Sequence, residues 1–228
     1  MSEDDAYRLI HSCFVDLSEA ARLLDVEPTL LHERTGLGET PLHFLAVEDQ
    51  AAAVRFLHER GAEIDPRNDF GATPFFDALG LGNETTAAYL FHAGANCNCK
   101  DHSGETPLHA AVRGRNERLV KLVLSRAADV DVQSNIRETS LHVAAAENAA
   151  HIAHILLEAG ADPERRRLFD ETALHVAARY GYVSIIQVLL EFHADANAHE
   201  HEGQTPGEVA VKCGFLEAAR ALGAVRPN

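Results

Sequence analysis

The chain has 228 residues, with 35 acidic against 20 basic side chains and a net charge of -15, which argues against nucleic acid or an anionic membrane as its principal ligand. Its hydrophobic share is 46% with only 6% aromatic residues and no Trp, so the core is expected to consist of Ala, Leu, Val and Ile in thin, close layers. Four Cys are too few for a disulfide framework in a chain this long, and no apolar run approaches the roughly 20 residues of a membrane helix. The opening Met1-Ser-Glu-Asp-Asp5 lacks the basic start and apolar stretch of a signal peptide, so the expectation is a reduced, cytoplasmic protein.

In chain order, two helical stretches come first, around 7–13 and 17–24, without any distinctive start signal. At Thr40 a pattern opens that returns at Thr73, Thr106, Thr139, Thr172 and Thr205, always 33 residues on. Gly38-Glu-Thr-Pro-Leu-His43 recurs as Gly104-Glu-Thr-Pro-Leu-His109, then more loosely ahead of His142 and His175. A fixed period of this length signals stacked supersecondary units. Each Thr is predicted to cap a helix, because its hydroxyl can serve orphan backbone N–H groups; Pro41, Pro74, Pro107 and Pro206 follow with the φ of a helix start.

Five residues after each Thr stand Leu45, Ala78, Ala111, Ala144, Ala177 and Ala210, a column small enough for neighbouring helices to approach closely. Seventeen residues after it, Leu57, Leu90, Val123, Leu156, Leu189 and Leu222 mark a second helix. That helix is predicted to end at a left-handed residue, Gly61, Gly94 or Gly160, with Ala127 and His193 standing in the glycine's place in two copies.

These residues resemble the ankyrin-repeat family, from the Gly-x-Thr-Pro-Leu-His opening to the ending Gly160-Ala-Asp162. The resemblance implies an all-α fold, an ankyrin-repeat solenoid of stacked helix-turn-helix units with projecting β-turn fingers, as a single domain over 1–228. Full repeats are expected at 37–69, 70–102, 103–135, 136–168 and 169–201, with an N-terminal cap at 4–36 and a C-terminal cap at 202–228. The periodic His43, His109, His142 and His175 would be structural hydrogen-bonding residues of the Thr-Pro turn. Asn98 and Asn197 resemble acceptors of asparaginyl hydroxylation, although Asn is also a common turn residue.

Little points to chemistry. The copy at 70–102 departs most, with Phe75 and Phe76 in place of Leu and His, Gly80 and Gly82 near its first helix end, and Cys97 and Cys99 in its tail. Cys97, Cys99 and His102 would make a soft metal site, but Cys97 takes the place of Ile64 and Val130, which favours burial over ligation. No nucleophile stands at motif spacing from a base, so neither an enzyme nor a cofactor is expected.

The resemblance places ligand contacts on the fingers and the exposed side of the first helices. At those positions Phe70, Ile136, Leu168, Phe169 and Tyr180 are large and apolar where turns are usually polar. They concentrate where Arg165-Arg166-Arg167 leads into Leu168-Phe169, with Arg179 and Tyr180 on the next helix; Arg and aromatic residues are the types enriched in interface hot spots. Glu39, Glu105, Glu138 and Glu171 form an acidic row just before the caps, where helix dipoles favour them. The function expected is a non-enzymatic adaptor or scaffold, monomeric on its own, binding a protein partner on its concave face. The alternatives are a regulatory or inhibitory subunit of an enzyme, and a secreted pathogen effector acting on a host protein.

Overall fold

The computed structural model describes residues 3–126 and 128–225. It divides into two compact units, Met1–Val123 and Leu124–Asn228, and the described residues of both form helices and turns without a strand. In the first unit α1 (Glu3–Val15) and α2 (Leu17–Val26) precede three helix pairs. These are α3 (Pro41–Val47) with α4 (Ala51–Glu59), α5 (Pro74–Gly80) with α6 (Glu84–His92), and α7 (Pro107–Arg113) with α8 (Glu117–Leu124). The second unit holds α9 (Ser140–Ala146) with α10 (Ala150–Glu158), α11 (Ala173–Tyr180) with α12 (Val183–Glu191), and α13 (Pro206–Lys212) with α14 (Leu216–Ala221). The sequence did not reveal a 3-10 turn at Pro28–His32, which buries Leu30 and Leu31.

All six periodic threonines are N-caps in extended conformation. In four of them the Thr N–H donates to Nδ1 of the histidine three residues on, at 3.1 Å for His43, 3.2 Å for His109 and 3.3 Å for His142 and His175. An accepting Nδ1 leaves the proton on Nε2, which meets the next copy's carbonyl oxygen: Ala72 at 3.2 Å from His43, Glu171 at 3.1 Å from His142 and Gln204 at 3.1 Å from His175. His43, His142 and His175 thus each cap their own helix and hold the following repeat. Burial pushes the pKa of His43 and His142 down to about 4 and lowers that of His175, so the rings are neutral at pH 7. At Thr205 the Glu208 carboxylate takes over the cap, accepting the Thr N–H at 2.8 Å.

The six residues of the small column are fully buried. So close do the inner helices lie that a Cβ on Gly114 would collide with the Leu79 carbonyl oxygen. In the divergent copy Phe75 is fully buried and its ring lies 6.3 Å from that of Phe91. Phe76 stands where four other copies have histidine, and only the Thr73 hydroxyl caps, accepting from the Phe76 N–H at 3.3 Å.

The second helices end as predicted in left-handed glycines, with φ of 101° at Gly61, 102° at Gly94 and 93° at Gly160. His193 adopts the same conformation at φ 63°, without a glycine's freedom. His193→Gly is therefore expected to stabilise the fold by about 0.4 to 1 kcal/mol, seen as a higher melting temperature; a lower one would contradict the strain. The matching expectation for Ala127 lies outside the described residues.

Consecutive fingers are joined through their backbones. In the first unit the Asp69 N–H donates to Leu37 O at 3.0 Å and the His102 N–H to Phe70 O at 2.8 Å; in the second, Leu168 donates to Ile136 O at 3.0 Å and His201 to Phe169 O at 2.9 Å. A second brace lies beneath each finger. The side chains of Arg34, Arg67, Gln133 and Arg166 each donate to the carbonyl four residues on and to the carbonyl 33 residues on, tying two fingers at once.

Candidate functional site

One finger of the second unit is built differently from the rest. Five residues before each cap, Thr35, Asn68, Asp101, Ser134 and Glu200 turn an oxygen inward to accept an N–H of their own finger, at 2.8 to 3.3 Å. Arg167 occupies that place in the fifth copy and has no acceptor to offer. The finger it begins is a short 3-10 turn, Leu168–Asp170, in which both Phe169 (φ 64°) and Asp170 (φ 56°) are left-handed. A left-handed aromatic residue is uncommon and costly, and such strain gathers at ligand-binding sites.

The turn presents Phe169 to solvent at 63% exposure, beside a cavity of about 470 Å³. Phe169, Val209 and Cys213 give its walls apolar surface; Arg167, Arg179 and Lys212 line it together with Glu171, Glu200, Glu202, His201 and Gln204. Glu171 organises the charges. It is 2% exposed, and its carboxylate accepts from Arg167 at 2.8 and 3.0 Å and from the Arg179 guanidinium. Arg167 reaches on to Glu138 at 2.7 Å. Burial disfavours the Arg179 charge, but the Glu171 hydrogen bond and charge outweigh it and raise the pKa of Arg179. On the rim, Lys212 pairs with Glu202 at 2.7 Å.

The residues singled out from sequence do not form one patch. Arg167, Phe169 and Arg179 come together at the cavity. The Arg165–Arg167 run fans out: Arg165 turns to Asp131 and Asp162, at 3.8 and 3.6 Å, while Arg166 is one of the finger braces. Leu168, Ile136 and Tyr180 are exposed but do not line the cavity; Tyr180 stacks on Tyr182 with ring centroids 5.5 Å apart. Phe70 belongs to the first unit, where it is 57% exposed. Sequence reasoning missed Glu200 and Val209. Glu200 was legible as the counterpart of Asn68 and Asp101, whereas nothing in the repeat pattern marked Val209.

Cys97 and Cys99 are buried, and burial raises the pKa of Cys99, so Cys99 is not poised as a thiolate. Among the described residues no group of three or more His, Cys, Asp or Glu side chains is arranged to hold a metal ion. Asn98 and Asn197 sit in Asx turns, their N–H groups donating to Asn96 and Asp195 side chains at 2.9 Å. A family model of ankyrin repeats matches the chain three times, over residues 9–101, 89–167 and 141–225. The chain belongs to the ankyrin-repeat family. Ankyrin repeats generally mediate protein–protein interactions and are typically non-enzymatic. A search of curated proteins found no match to this ankyrin protein. Among its described residues no helix is long and apolar enough to cross a membrane.

Proposed function

We propose that the protein is a non-enzymatic adaptor that seats a partner protein on its fingers and inner helices, with the cavity beside Phe169 as the principal anchor in the second unit. The observation that carries this is Phe169 itself: a large apolar side chain, mostly exposed, held on left-handed backbone at the mouth of a cavity with charged walls. A partner's apolar side chain would pack against Phe169, while polar groups meet Lys212 and Glu202 at the rim. Aromatic and Arg residues in such partly enclosed places carry most of the energy of an interface.

Replacing Phe169 and Tyr180 by Ala is expected to leave the fold intact, since both are exposed, and to abolish recovery of the partner from a native extract. Phe169→Gly separates strain from contact: it should raise the melting temperature and still lose the partner. Unchanged partner recovery by these variants would count against the site.

A further inference from the structure

We propose that the first unit carries a receptor for one cationic side chain, an Arg or Lys of the partner flanked by apolar residues, seated between Glu39 and Asp77. This rests on the protein being a partner-binding module but uses a surface separate from the cavity. The repeats themselves show what a glutamate just before the cap takes as its counterion. Glu105 binds Arg113, eight residues on, with Nε at 3.3 Å; Glu171 binds Arg179 at the same spacing and Arg167 besides; Glu138 binds Arg167. Even Gln204 accepts from Lys212 eight residues on, at 3.3 Å.

For Glu39 that spacing lands on Val47, and the described structure gives its carboxylate the Thr35 hydroxyl at 3.3 Å but no ion pair. The neighbouring inner helix supplies a second carboxyl in place of a cation. Asp77 stands where the other copies have Phe44, Ala110, Val143, Val176 and Val209. Its Oδ2 is buried and has no hydrogen-bond partner. Burial first, and then the charge of Glu39, push the Asp77 pKa up to about 7, as expected of two carboxyls sharing a place without a counterion. An unpaired buried acceptor weakens the fold, whereas a valine, as in three other copies, would avoid the loss. A cation brought by the partner offsets the negative charge that the two carboxyls accumulate. The surround fits: Leu37 and Phe70 on the adjacent fingers and Val47 and Leu81 at the helix ends are all exposed and apolar.

The test is selection of a random linear peptide library displayed on phage against the full chain, followed by affinity measurement on variants. Selected peptides should share an Arg or Lys flanked by apolar residues. Asp77→Val should bind them at least tenfold more weakly while melting at a higher temperature, and Val47→Arg, which supplies the cation from within, should also weaken binding. Phe169→Ala with Tyr180→Ala should leave these peptides bound. The proposal is overturned if no peptide is retained, if the peptides lack a shared cation, or if Asp77→Val binds within twofold of the natural chain. Peptides that depend on Phe169 and Tyr180 but not on Asp77 overturn it and leave the cavity standing; dependence on Asp77 alone supports it and counts against the cavity.

Discussion

Lowering the pH from 7 to 5 is expected to cost the second unit about 2 kcal/mol of stability through His142 alone. Its pKa is about 4 when folded and 6.5 in the unfolded chain, so between those values the unfolded state binds more protons. The stability is complete above pH 6.5 and is lost as the pH falls toward 4. His175, lowered by burial as well, adds to the loss in the same unit. In the first unit His43 behaves like His142, but Asp77 works the other way: with a folded pKa of about 7 against an ordinary 3.8, it destabilises most at neutral pH and recovers on acidification. Hydrogen exchange at pH 7 and pH 5, corrected for intrinsic rates, should therefore show a larger loss of protection in α9 and α11 than in α3 and α5. Asp77→Val should make the first unit as acid-sensitive as the second. Equal protection at both pH values would mean that these rings take up protons without unfolding.

Glu171→Gln is expected to destabilise the protein by about 2 to 3 kcal/mol, because it leaves Arg167 and Arg179 facing a neutral amide in a buried place. Breaking a fully buried pair costs more; the value is reduced here because the Arg167 and Arg179 side chains keep 20% and 44% of their surface in water. By the same reasoning Arg179→Ala should cost less than about 1 kcal/mol, since Glu171 keeps Arg167. Urea denaturation of the two variants tests this asymmetry. If both lose equally, Glu171 is not the shared centre of the cluster.

Periodic features were legible in the sequence because the physics behind them is local. A Thr followed by Pro caps a helix wherever it stands, and a column of Ala every 33 residues has no use except close packing. The structural role of the four histidines followed from their repetition, although the carbonyls that His43, His142 and His175 reach in the next copy did not. Long side chains were less readable. Arg165, Arg166 and Arg167 looked like one basic patch because they are adjacent, but neighbouring residues on a turn point apart, and the three meet different partners. Asp77 was missed in the sequence, because its meaning depends on what fails to face it. The cavity required the C-terminal copy to bring Val209 and Lys212 opposite Phe169, a long-range arrangement that spacing alone does not encode.

The braces formed by Arg34, Arg67, Gln133 and Arg166 bear on how the gene can change in length. Each holds one carbonyl four residues ahead and another 33 residues ahead, so its reach is set in both directions by the count of residues between. Losing a single codon inside a repeat would move one of the two acceptors out of place, together with the histidine's carbonyl 29 residues on. Losing or duplicating a block of 33 codons would present the next carbonyl at the same spot. Growth and shrinkage of this array are thus confined to whole repeats.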